Sequence, residues 1–198
     1  DVNGTVWTAQ TIQSSGRKMF AKDSVKQENF HVVGAAGNGL DALIDAPVLV
    51  ISEGYASADS LSSVLRFPTV SAFDSGNLVL VAKALHEKFP DKPVVIAGDD
   101  DKHVEATQGY NPGRSKANEA AKAVGGKVLL PIFFPGEQAS DPKGFSDFND
   151  LATKSVLGKE GIKRQVCAIV DSVLEKHLAR SQQQELVQQQ VRVVKRCL

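Results

Sequence analysis

Two stretches of this 198-residue chain carry side chains suited to phosphate chemistry. The apolar run Val48–Ile51 ends in Ser52-Glu53-Gly54, and the run Val94–Ala97 ends in Gly98-Asp99-Asp100-Asp101. In open α/β sheets ligands gather beyond the carboxyl ends of the strands, so these acids are expected on one edge. In extended backbone residues i and i+2 point the same way. Asp99 and Asp101 then share a face, and Asp100 points elsewhere to satisfy loop or helix-cap backbone. Crowded carboxylates repel and their pKa values rise unless a cation neutralises them. A hard divalent ion does so: magnesium takes one or two carboxylates, several waters and substrate phosphate oxygens. A site of this kind, with Glu53, Asp99 and Asp101 on one edge, suits phosphoryl or nucleotidyl transfer. A Gly-Asp-Asp-Asp run alone is ordinary turn chemistry. Its pairing with a strand-terminal Glu some 45 residues earlier makes the signal specific.

Phosphate also needs cations. Arg17, Lys18, Lys22 and Lys26 form one basic patch and the C-terminal segment another. Arg114 and Lys116 open a helical stretch, where anions are favoured. His103 stands beside the acidic run, either meeting a phosphate or lying on a loop surface. Asp147 and Asp150 either add a distal ligand or cap the following helix. Trp7 and Tyr55 are candidates for stacking on bases, although a Trp in a hairpin more often belongs to a core. Gly34–Gly39 is glycine-rich, but without a following Lys-Ser/Thr it reads as a turn rather than a P-loop.

The elements that position these groups are set by periodicity. Val48–Ile51, Thr69–Phe73, Val94–Ala97 and Val128–Ile132 are short, β-branched and flanked by Gly, Pro or Asp, as strands buried on both faces should be. Between them, Leu78, Val81, Ala82, Leu85 and Phe89 recur at helical spacing. So do Ala117, Ala120, Ala121 and Val124, with Ser115 as the expected N-cap and Gly125-Gly126 as the stop. Alternating elements imply a parallel sheet flanked by helices. Residues 1–46 read as a small β-rich subdomain, with Thr5–Ile12 extended and turns at Ser14-Ser15-Gly16 and Gly37-Asn38-Gly39. Residues 47–151 form the α/β domain. Residues 152–198 form a helical segment with a stripe at Ile162, Val166, Ile169, Val170, Val173 and Leu174, then a polar, basic tail that suits a linker helix.

Twenty-three basic and 23 acidic residues cancel, which excludes a histone-like polycation and an acidic tail protein. The charge is segregated, with a net −5 over residues 1–150 and +5 over 151–198. Two cysteines without a CxxC pair and four scattered histidines argue against structural zinc and for a reducing compartment. No apolar run is long enough to span a bilayer and no signal-peptide pattern is present. A chain opening at Asp1 is read as part of a longer cytoplasmic protein.

Val48–Ala58 with its Ser52-Glu53-Gly54 core, then Ser71-Ala72-Phe73-Asp74-Ser75-Gly76-Asn77-Leu78, then Val95–Asp101, resemble the Toprim domain shared by bacterial primases, topoisomerases and some nucleases. Asn111-Pro112-Gly113 and Asp147-Phe148-Asn149-Asp150-Leu151 extend the resemblance to plasmid conjugative primases of the TraC type. The segment around Asn3-Gly4, Gln10, Ile12, Gly16, Lys18 and Phe20 is similar to the region preceding Toprim in those enzymes. This resemblance runs from Asp1 to about Leu151 and does not reach the tail.

The resemblance implies a catalytic core that makes short RNA primers on single-stranded DNA from ribonucleoside triphosphates, in plasmid conjugation or replication. Asp99 and Asp101 would bind metal, Glu53 would bind metal or move protons, and Arg17, Lys18, Lys22, Asn77, Arg114 and Lys116 would contact nucleotide or DNA. The family's usual third block is Asp-Asn-Asp, whereas this chain has Asp99-Asp100-Asp101. Because the middle side chain faces away, Asp100→Asn is expected to be nearly silent. No zinc ribbon precedes the core, so the isolated chain is expected to be weakly active. A Toprim nuclease and a non-catalytic single-strand-binding module of a conjugation relaxase are the alternative readings.

Overall fold

The computed structural model describes residues 1–35 and 39–196, with side chains through residue 188. Its main element is a five-stranded sheet in the order β3 (His31–Val33), β5 (Thr69–Ser71), β4 (Leu49–Ser52), β6 (Val94–Ala97), β7 (Lys127–Leu129). β3 pairs antiparallel with β5, and the other pairings are parallel. The two central strands, β4 and β6, are buried at every residue. The pleat divides their side chains between two cores. Leu49, Ile51, Val94 and Ile96 face α1 (Gly39–Asp45), α3 (Ser75–Lys88) and α5 (Pro112–Val124), meeting Leu43, Leu78, Leu85 and Ala117. Val48, Val50, Val95 and Ala97 face α2 (Tyr55–Leu65), α7 (Phe148–Thr153) and α8 (Gly158–Arg196), meeting Leu61, Phe148, Leu151 and Ile162.

The expected α/β architecture with a small β-rich element before it and a helix after it is the one observed. β1 (Gln10–Ile12) and β2 (Lys18–Phe20) form a two-stranded hairpin, Gln10 opposite Phe20. Its turn closes with the Gly16 N–H donating to the Gln13 carbonyl and the Gln13 N–H to the Arg17 carbonyl, and Gly16 takes the left-handed conformation. Only Gln10–Ile12 of the expected Thr5–Ile12 run is strand. β3 lies within residues 1–46 yet pairs in the main sheet, because Val32 and Val33 supply an apolar edge that the hairpin lacks. Gly37 and Asn38, read as a turn, lie outside the described residues. Helix α1 comes next in the chain, where a hairpin would require a strand.

α5 begins earlier than Ser115. Asn111 caps it, accepting the Arg114 N–H at 3.0 Å, and Pro112 sits in the first turn with its backbone angle already helical. The helix stops at Gly125 in the left-handed conformation, as expected. The connections complete the domain with α4 (Lys102–Gln108) and α6 (Glu137–Ser140). α8 runs 39 residues without a break. Its first half docks through Ile162, Val166, Val170 and Val173, each side chain contributing about 1.5–3 kcal/mol of burial. From Leu178 to Gln188 it is mostly polar and largely exposed. No helix among the described residues is long and apolar enough to cross a membrane.

Candidate active site

Parallel pairing of β4 with β6 sets Ser52 opposite Ala97, so the residues after both strands emerge on the same edge. Glu53, 8% exposed, accepts the backbone N–H of Asp99 through Oε1 at 3.4 Å. Burial pushes its carboxyl up to about 7, and the charges of Asp101, Asp74 and Asp147 add to the rise, while the Asp99 hydrogen bond opposes it. Asp99 rises well above the ordinary carboxylate range, first through burial, then through Glu53, Asp147 and Asp101. Its Oδ1 is closed off from solvent with no hydrogen-bond partner among the described residues. Asp101 stands half-buried at the start of α4, and its Oδ2 accepts the Gly113 N–H at 2.9 Å. A Cβ on Gly113 would fall 2.6 Å from the Asp99 carbonyl oxygen, so only glycine lets α5 begin this close to the acidic loop.

Asp100 turns from this group, as the alternation requires. Its carboxylate accepts from Arg114 at 2.7 Å, from the Asn111 amide at 2.8 Å and from Gln138 at 3.2 Å. Arg114 also pairs with Glu105 at 3.5 Å, so its guanidinium braces the acidic loop. Lys116 pairs with Glu119 on the outer face of α5. The helix N-terminus that was to receive a phosphate receives the carboxylate of Asp101 instead.

Lys18 on β2 faces the acids. Its charge lowers the pKa of Asp99 and of Asp147 against their burial, and its Nζ lies 3.2 Å from where a Cβ on Gly54 would stand. Arg17 and Lys22 are exposed just outside the two ends of the same strand. The hairpin is held over the edge by Phe20, whose ring meets Phe73 edge-on at 5.4 Å, and by an ion pair between Lys26 and Asp74. Asn77 is 2% exposed and spends its whole amide on this docking. Nδ2 donates to the carbonyls of Asn29, Ala72 and Lys26, and Oδ1 accepts the Glu28 N–H. It is a structural pin between the segment 26–29 and α3, leaving no group for a nucleotide.

Two acids join the site that spacing alone did not assign to it. Asp74 lies beyond the end of β5 as Glu53 does beyond β4, and the signal that finds it is the same strand-end position. It also caps α3, accepting the Asn77 N–H at 3.0 Å. Of the two roles weighed for it, Asp147 takes the cap. With Asp150 it forms a reciprocal cap on α7, and its own pKa is raised by burial while its charge presses on Glu53 and Asp99. Asp150 is tied to Lys154 at 2.7 Å. Trp7 is half exposed rather than core, and its indole N–H donates to Asp1. Trp7 and Tyr55 line a cavity of about 860 Å³ between the N-terminal segment and β3. His103 is half-buried on α4, and its Nδ1 has no hydrogen-bond partner among the described residues.

The donor set is all hard oxygen, and the partnerless Asp99 oxygen together with the raised pKa values marks a place short of positive charge. Among the described residues no three acidic, His or Cys side chains are already gathered around one point.

Known proteins are similar to most of this chain. A protein named DNA primase TraC from Escherichia coli is 46% identical over 245 aligned residues, covering 96% of this chain and 23% of its own length. A second DNA primase TraC from Escherichia coli is 45% identical over 227 residues, covering 87% of this chain and 15% of its own length. The chain thus spans about a quarter or less of the relatives it matches. The first similarity covers too much of the chain to stop at Leu151, and it reaches into the segment beyond. Both alignments are longer than the chain, so the relatives carry inserted residues within the matched span. No family model matches the chain, and no solved structure does.

Proposed function

We propose that this chain is the nucleotidyl-transfer core of a DNA primase acting in plasmid conjugation or replication, with the five-stranded sheet as a Toprim domain. In this reading it belongs to a longer cytoplasmic protein and works on single-stranded DNA with ribonucleoside triphosphates. The observation that carries the reading is the convergence of Glu53, Asp99 and Asp101 on one sheet edge under Lys18, in a chain that is nearly half identical to proteins named as primases.

Asp99 and Asp101 would hold a magnesium or manganese ion, with Glu53 assisting. When bound, such an ion supplies Lewis-acid neutralisation of triphosphate charge. Lys18 binds the phosphates from the hairpin side, and Arg17 and Lys22 extend that contact to nucleotide or template. The hydroxyl oxygen of one nucleotide bonds to the α-phosphorus of the next as the bond to the β-phosphate breaks and pyrophosphate leaves. Glu53, with a pKa raised to about 7, suits taking the hydroxyl proton near neutral pH.

The test is an assay on one single-stranded template with magnesium and ribonucleoside triphosphates, using the full-length protein and its Asp99→Asn variant. Labelled primers from the parent and none from the variant support the proposal. Scission of the template without primers points to a nuclease, and binding without turnover points to a single-strand-binding module. Either outcome overturns it.

A further inference from the structure

The opposite end of the sheet carries the reverse charge. Where β6 and β7 begin, a strand's length from Asp99, a pocket of about 220 Å³ opens between Pro93, Lys127 and the middle of α8. Lys92, Lys127, Lys176, His177 and Arg180 line it, and Asp91 is the acid among its lining residues. None of these basic side chains has a carboxylate within ion-pair distance among the described residues. Lys92 is fixed in place by donating to the backbone carbonyls of Ile44 and Ala46, which orients the ammonium without neutralising it. His86 also lines the pocket, and its buried Nδ1 has no hydrogen-bond partner among the described residues.

Uncompensated cations on separate elements around one concavity repel each other, which costs stability unless an anion occupies the space. The arrangement also has a direction. Lys176 and Arg180 lie one turn apart on the same face of α8, beside Lys127 on β7 and Lys92 ahead of β6. Four permanent positive charges, from Lys92, Lys127, Lys176 and Arg180, exceed what one small anion answers and suit a chain of phosphates.

We infer that this pocket and the adjoining face of α8 form a second nucleic-acid contact, gripping the phosphodiester backbone of a single strand on the side of the domain away from the acidic edge. The identity of the polyanion rests on the primase reading; the site itself does not. The contact is sequence-independent, since ammonium and guanidinium groups reach phosphate and not base edges. It would hold a strand to the domain whatever the acidic edge is doing.

The experiment compares the full chain with the triple variant Lys127→Gln, Lys176→Gln, Arg180→Gln, and with a charge-matched control, Lys143→Gln, Lys159→Gln, Lys163→Gln. All six positions are exposed, so folding is not at stake. Affinity for a labelled oligothymidylate is measured against salt concentration. Each phosphate contact on a single strand contributes about 0.7 to the slope of log affinity against log salt, so losing three lowers it by about two. Between about 50 and 200 mM salt the parent chain then loses roughly fifteen-fold more affinity than the triple variant. The control should keep the parent slope. An unchanged slope in the triple variant overturns the inference. So does a variant that loses affinity for inorganic phosphate, measured by calorimetry, while keeping the parent's DNA slope. Absence of primer synthesis leaves this slope untouched, so failure of the catalytic reading is told apart from failure of this one.

Discussion

The ammonium nitrogen of Lys18 lies 3.2 Å from the point where a β-carbon on Gly54 would stand. Hairpin and sheet edge therefore meet at a residue with no side chain, directly after Glu53. Gly54 adopts extended backbone angles that alanine also accepts, with φ −110° and ψ 160°. Gly54→Ala is expected to leave thermal stability within about 1 kcal/mol, because lower unfolded-state entropy offsets a slightly poorer helix cap. The added methyl pushes the flexible Lys18 head away from the acids. Nucleotide affinity should fall while the melting temperature holds, as binding and calorimetric titrations would show. Unchanged affinity would mean that Lys18 does not serve the phosphates.

Glu53 titrates near 4.5 when unfolded and about 7 when folded. Between those pH values the folded chain retains a proton that the unfolded chain has lost, so stability falls as pH rises through the window. The loss from this residue is on the order of 3 kcal/mol. Asp99, shifted the same way, adds to it. Melting curves in divalent-free buffer should show the decline, and Glu53→Gln should flatten it.

Magnesium or manganese should reverse that loss near neutral pH by binding the folded chain. At a concentration about 100 times its dissociation constant the ion adds about 2.7 kcal/mol. Asp99→Asn is expected to be more stable than the parent without the ion and to gain little from it. A parent chain whose melting temperature ignores both ions would remove the metal from the site.

Asp100→Asn, expected from its outward direction to be nearly silent for the metal site, is expected to cost stability. The carboxylate answers the guanidinium of Arg114 and the amides of Asn111 and Gln138 in a nearly buried position. An asparagine leaves one of those donors unmatched and Arg114 with its longer pair to Glu105 alone, costing about 1–3 kcal/mol. Denaturant titration should show the loss, while metal affinity stays close to that of the parent.

Asn77→Ala removes the four hydrogen bonds that tie Lys26, Glu28, Asn29 and Ala72 together. A cost of about 2–4 kcal/mol is expected from the buried groups left unsatisfied. The amide hydrogens of residues 26–29 should exchange faster than those of β4, whose strand does not depend on this pin.

The strands β4, β5 and β6 were legible because burial on both faces demands short runs of β-branched residues, and that demand is local. The placing of Glu53 and Asp99 on one edge comes from the same runs, since parallel strands all end on one side. Asp100 turning away from Asp99 and Asp101 reflects a two-residue period. The features that sequence spacing could not reach depend on who sits opposite. Asn77 and Arg114 have the chemistry of nucleotide-binding residues, but the fold sets backbone carbonyls around one and Asp100 beside the other, and a buried polar group takes the nearest partner. The edge strand β3 joins the main sheet because the free edge of β5 was waiting for it, 36 residues along the chain from Val33 to Thr69. Asp74 and Asp147 press on Glu53, and Lys127 and Arg180 share a pocket, only once the chain has closed on itself. Charge interactions depend on distance through space, and that distance is settled by the packing of helices on both faces of the sheet.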